Sequence, residues 1–128
     1  MGAEHPPVID RYWYSIDWSV RDLWELDLPR AQIPMARLDW HLDVPVWPDA
    51  DGAPYRVTPR QVIENKEQNA VEYARILRAD LSYPIEAILR GDRWMILDGI
   101  HRMAKAWLGG AESMTIRVVP DAAVQQLR

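Results

Sequence analysis

The chain is 128 residues long, 48% hydrophobic and 27% charged, with a net charge of −4 and no cysteine. That length and mix predict a single domain over 1–128 with a real core, and they exclude disulfides and thiolate chemistry. An acidic balance without a basic run argues against non-specific nucleic-acid binding, which relies on Lys and Arg neutralising phosphates, and no apolar stretch approaches the ~18 residues that span a bilayer.

Residues 1–32 read as a Trp/Tyr-rich extension and 33–120 as the core of the domain. The chain has seven Trp, five Tyr and no Phe, and five of the Trp fall within the first 47 residues. This predicts an aromatic packing layer, with a dimer or protein-partner surface as the alternative. No basic-then-apolar leader opens the chain, so a cytoplasmic setting is expected. Ile16, Val20, Leu23, Trp24 and Leu28 fit a short helical stripe, and residues 33–38 a strand or a strand leading into a turn. Residues 43–59 hold four prolines and an Asp51-Gly52 turn signal. Val44, Val46, Trp47 and Tyr55 are too apolar for a solvated linker, so an ordered loop or short hairpin is expected. Two acids flank His41, but no spaced partner supports a metal site there.

Thr58-Pro59 starts a helix, with an N-cap hydroxyl before a proline at the first helical position. That helix is expected to reach about Asn65. A second follows over about 68–79, with the stripe Ala70, Val71, Ala74 and Leu77, and Leu81 beyond it. Two apolar runs, 84–89 and 93–97, surround Gly91-Asp92 and predict a hairpin. A third helix over 100–108, a strand over 115–119 and a terminal helix over 121–128 complete the order. The fold class is therefore α+β: a small mixed β-sheet flanked by helices.

The segment 97–110 carries the chemistry. Ile100, Met103, Ala104, Trp107 and Leu108 recur at helical spacing and mark a core-facing stripe. His101, Arg102 and Lys105 fall on the other side. Gly99 lets a ligand approach the backbone, and a helix start presents unpaired N–H groups with a partial positive charge. Together these residues predict an anion or phosphate site. Trp94 and Trp107 sit at positions suited to packing.

Pro84-Ile85, the hairpin, and Asp98-Gly99-Ile100-His101-Arg102 with Ala104 and a later glycine resemble the ParB/sulfiredoxin superfamily. The resemblance covers about residues 58–120 and implies a ParB/sulfiredoxin-like fold. ParB loops read Gly-Glu-Arg-Arg. Here Gly99 and Arg102 match, while Ile100 and His101 depart, and no helix-turn-helix for reading a DNA site is expected. Sulfiredoxin loops read Gly-Cys-His-Arg. Ile100 takes the place of that cysteine, which excludes their sulfur chemistry. The free serine kinase loop, Asp-Gly-His-His-Arg, is the nearest match, through Asp98, Gly99, His101 and Arg102.

The resemblance implies a nucleotide (ATP, ADP or CTP), with Mg²⁺, or another small phosphorylated molecule. Gly99, Ile100, His101, Arg102 and Lys105 are the candidate binding residues. Asp98 is the candidate for holding Mg²⁺ or orienting a hydroxyl. Either Glu64 or Glu67 is the upstream carboxylate that would act as a base. A small-molecule kinase or nucleotide hydrolase is the enzymatic form of this reading. A non-enzymatic interaction or nucleotide-switch module, using the Trp-rich N-terminal third, is the alternative from another class. The acidic charge and the absence of a carboxylate cluster argue against a nuclease.

Overall fold

A computed structural model describes residues 24–120, which form a four-stranded mixed sheet with three α-helices. The strands are β1 (Arg30–Pro34), β2 (Ile85–Arg90), β3 (Arg93–Asp98) and β4 (Ser113–Val118). The helices are α1 (Pro59–Glu64), α2 (Ala70–Arg78) and α3 (Ile100–Leu108). The terminal helix expected over 121–128, and the expected stripe as far as Leu23, lie outside the described residues. Trp24 is helical, and Glu25 to Pro29 form a turn and coil leading into β1, so Leu28 of the expected stripe lies outside a helix.

The sheet order is β1-β4-β2-β3. β2 and β3 form the expected antiparallel hairpin, with Gly91 in the turn at φ +61°. α3 then carries the chain from edge strand β3 across to β4. β4 runs parallel to β2 on one side and antiparallel to β1 on the other. β2 is buried from Ile85 to Ile88. Consecutive buried residues, three of them apolar and one the charged Glu86, rather than alternating burial, mark a strand covered on both faces.

The strand expected over 33–38 is shifted toward the N-terminus. β1 begins at Arg30 and ends at Pro34, which pairs with Ser113. Proline lacks the N–H that would extend a ladder, so it suits a strand end on a sheet edge. Met35 N–H still bonds Glu112 O, and the chain then tightens into two 3₁₀ turns, Met35–Arg37 and Asp39–Asp43. These turns place Met35, Leu38, His41 and Leu42 in the interior.

α1 starts as expected, and its cap is a full capping box. Thr58 accepts from Gln61 N–H, and Gln61 in turn accepts from Thr58 N–H. Residues 43–59 are ordered, with a bridge between Trp47 and Val57 and with the Asp49 carboxylate accepting from the amides of Asp51 and Ala53.

The inward face of α2 differs from the expected stripe. Val71 is 68% and Leu77 51% exposed, whereas Glu72 and Ile76 are buried. Ile76 joins a core of Leu38, Leu42, Val62, Ile85, Ile96, Met103 and Ile116. Truncating such a residue to alanine typically costs about 2–5 kcal/mol. On α3 the stripe is the expected one. Met103 and Ala104 are buried, Ile100 and Trp107 pack against the core, and Leu108 is the outlier at 40% exposed. Trp94 is buried in the same core.

Candidate functional site

Asp98 ends β3, and Gly99 turns the chain into α3 with φ +113°. A Cβ on Gly99 would lie 2.6 Å from Ile85 Cγ2 and 3.1 Å from Arg102 Nη2. The close approach that demands glycine here is therefore to β2 and to Arg102. Gly99 is the N-cap of α3 and no side chain caps the helix, so its first amides have no side-chain acceptor.

Arg102 reaches back under this turn. Its Nη2 donates to Asp98 Oδ2 at 3.0 Å and its Nη1 to Pro84 O at 2.6 Å. Trp24 Nε1 donates to the same Asp98 oxygen at 2.9 Å. Asp98 therefore anchors a guanidinium and an indole instead of capping the helix.

The carboxylate that meets the loop is Glu72. It is 5% exposed, its Oε2 lies 3.0 Å from His101 Nε2, and its Oε1 accepts from Arg75 Nη1 at 2.9 Å. The His101 ring stacks on Trp47 with centroids 4.3 Å apart and planes 17° from parallel. Hydrogen bonding at Nε2 and stacking on its face fix the imidazole, and Nδ1 has no partner among the described residues. Neither Glu64 nor Glu67 takes part. Glu64 is exposed at the end of α1 with Arg60 as its charged neighbour, and exposed Glu67 lies in the turn before α2. Glu72 lies further along the chain, inside α2 and past the turn that follows Glu64, on the side that packs against α3.

A cavity of about 380 Å³ opens at the start of α3. Arg75 and Arg78 from α2 and Arg102 from α3 bring guanidinium groups to it beside the His101 ring, and Asp80 and Asp98 are its acids. Asp80 is held below its ordinary carboxyl range by the Ser82 hydroxyl and amide. Arg78 makes no hydrogen bond or ion pair among the described residues. Two of the expected binding residues do not face this cavity. The Ile100 side chain packs against the core, because it continues the apolar stripe. Lys105 Nζ donates at 2.8 Å to Ala79 O, a carbonyl just past α2 that no helical amide reaches. The chemistry on offer is anion neutralisation by guanidinium groups at a helix start, beside an oriented imidazole whose Nδ1 is unpartnered among the described residues.

Sequence reasoning missed Glu72, Arg75, Arg78 and Trp47. A basic pair three residues apart on one helix face was visible, but nothing local showed that this face turns toward 98–102. Compared with protein-family models, with characterised proteins and with solved structures, the chain matches none. Among the described residues no helix is long and apolar enough to cross a membrane.

Proposed function

We propose that the chain is a stand-alone ParB/sulfiredoxin-like domain that binds a nucleotide or other phosphorylated ligand at the start of α3. One observation carries this reading: the uncapped helix start converges with Arg75, Arg78, His101 and Arg102 on a single cavity. Phosphate groups gain from both the helix end and the guanidinium donors. The strand order, hairpin and Gly99-x-His101-Arg102 turn are compatible with the resemblance seen in the sequence.

In the enzymatic form, a small-molecule kinase or nucleotide hydrolase, His101 is the proton acceptor rather than Glu64 or Glu67. Its Nε2–H is held by Glu72, which leaves Nδ1 as the ring nitrogen available to accept a proton. A hydroxyl or water that attacks a terminal phosphoryl group gives its proton to Nδ1, while the bond from phosphorus to the leaving phosphate oxygen breaks. Asp98 Oδ1 would be the carboxylate oxygen available to a Mg²⁺ ion brought in with the phosphates, since Oδ2 already serves Trp24 and Arg102.

Titration calorimetry with ATP, ADP, CTP and pyrophosphate, each with and without Mg²⁺, tests this. Binding of at least one of them is expected, lost in Arg102→Ala. A flat titration with all four overturns the reading. Release of phosphate from a bound nucleoside triphosphate, abolished in His101→Asn, separates an enzyme from a switch.

A further inference from the structure

A second cavity, of about 690 Å³, adjoins the anion cavity and shares Tyr83 and Arg102 with it. The Arg102 guanidinium, fixed between Pro84 O and Asp98, stands at the junction. The second cavity is of a different character. Trp24 and Tyr83, both more than half exposed, line it together with Leu28 and Pro84. At its charged end lies Glu86, only 3% exposed. Arg117 Nη1 donates to Glu86 Oε1 at 2.8 Å, and Arg117 is itself tied to Leu26 O. Glu86 Oε2 is buried and has no hydrogen-bond partner among the described residues.

A buried acceptor without a donor is unfavourable, so this place lacks one N–H or O–H group. Arg30, Arg102 and Arg117 already surround the cavity, against Asp27 and Glu86. The missing donor is therefore neutral rather than an ammonium. Trp24 and Tyr83 offer faces to a flat ring. Glu86 and Arg117 side by side offer an acceptor next to a donor, the complement of an amino group beside a ring nitrogen on a nucleobase edge.

We infer that this cavity takes the base of a nucleotide whose phosphates occupy the anion cavity, with Glu86 Oε2 accepting from an exocyclic amino group of adenine or cytosine. The inference rests on the anion-site reading above. An oxo group in the same pose places oxygen against oxygen, so inosine and uridine nucleotides bind less well. Glu86 is thus a specificity-determining residue.

The test is titration calorimetry of the full chain with pyrophosphate, ADP, IDP, CDP and UDP. ADP is expected to exceed IDP, and CDP to exceed UDP, by about tenfold or more. Glu86→Gln keeps the side-chain shape. Its amide oxygen stays on Arg117, which places the NH₂ where Oε2 was and reverses both orders while pyrophosphate affinity holds. A reversal of preference cannot arise from a damaged fold. Equal binding within each pair by the unsubstituted chain overturns the inference, as does an unchanged order in Glu86→Gln. If pyrophosphate itself fails to bind, it is the anion-site reading that falls.

Discussion

His41 Nε2 accepts the amide N–H of Ile96 at 2.9 Å, and so stands in for a strand at the free edge of the sheet. Its Nδ1 lies 2.6 Å from Leu38 O, which makes Nδ1–H the donor and Nε2 the acceptor. The ring is fully buried, and Trp40 Nε1 bonds Trp94 O beside it. An edge strand with a covered amide is a poor template for pairing with another chain.

That arrangement requires a neutral imidazole. Burial is the main cause that lowers the His41 pKa from 6.5 to about 4, aided by Arg93 and opposed by the bond to Leu38. The unfolded chain takes up this proton near 6.5 and the folded chain only near 4. The contribution to stability is therefore whole above 6.5 and is lost as pH falls through this window, to a total of about 3 kcal/mol. Denaturant unfolding between pH 5 and 6.5, above the ordinary carboxylate range, should show stability falling with pH. His41→Gln should flatten that slope, and parallel curves for the two proteins would refute the role.

Gly99 and Gly91 both have positive φ, yet only Gly99 faces a wall. A Cβ on Gly91 meets nothing within 4 Å, so Gly91→Ala bears only the left-handed backbone cost of about 1–2 kcal/mol. Gly99→Ala adds the collision with Ile85 and should lose at least about 1 kcal/mol more, since a well-packed core yields little to added atoms. Thermal unfolding of the two variants gives the comparison. Equal losses would mean that β2 shifts freely away from the turn.

The elements with local signatures were legible in the sequence: Thr58-Pro59, the hairpin around Gly91-Asp92, and the stripe of α3. The face of α2 was not. A hydrophobic pattern selects Val71 and Leu77, but the inward residues are Glu72 and Ile76, and Glu72 is tolerated inside because His101 and Arg75 satisfy it. That pairing spans 29 residues, so no local spacing reveals it. The same fact explains why the sequence pointed to Glu64 and Glu67 and not to Glu72. Glu64 and Glu67 were the polar acids in view, whereas the carboxylate at the site looked like part of an apolar helix. Gly99, His101 and Arg102 stand out in the sequence because a turn into a helix is itself a local feature.

The capping box of α1 offers a separate measure of local structure. Thr58→Ala removes the acceptor for Gln61 N–H and should cost about 1 kcal/mol. Gln61→Ala removes the reciprocal bond to Thr58 N–H. The two bonds close one box, so the double variant should lose less than the sum of the single losses. Strict additivity in denaturant unfolding would show that the two bonds act independently.

Arg78 and Lys105 separate binding from scaffolding. Arg78 lines the anion cavity without a partner among the described residues, so removing it leaves the fold untouched. Arg78→Ala should weaken pyrophosphate about tenfold, the value of one charge-assisted hydrogen bond, with an unchanged melting temperature. Lys105 is the reverse case. Its ammonium holds Ala79 O at 2.8 Å and does not line the cavity, so Lys105→Ala should cost about 1 kcal/mol of stability and leave pyrophosphate affinity as it was. Arg102→Ala should do both, because this side chain braces Pro84 and Asp98 and also faces the cavity. Calorimetry and melting curves on the three variants read the two effects independently. A loss of affinity in Lys105→Ala equal to that in Arg78→Ala would place the anion along the flank of α3 rather than at its start.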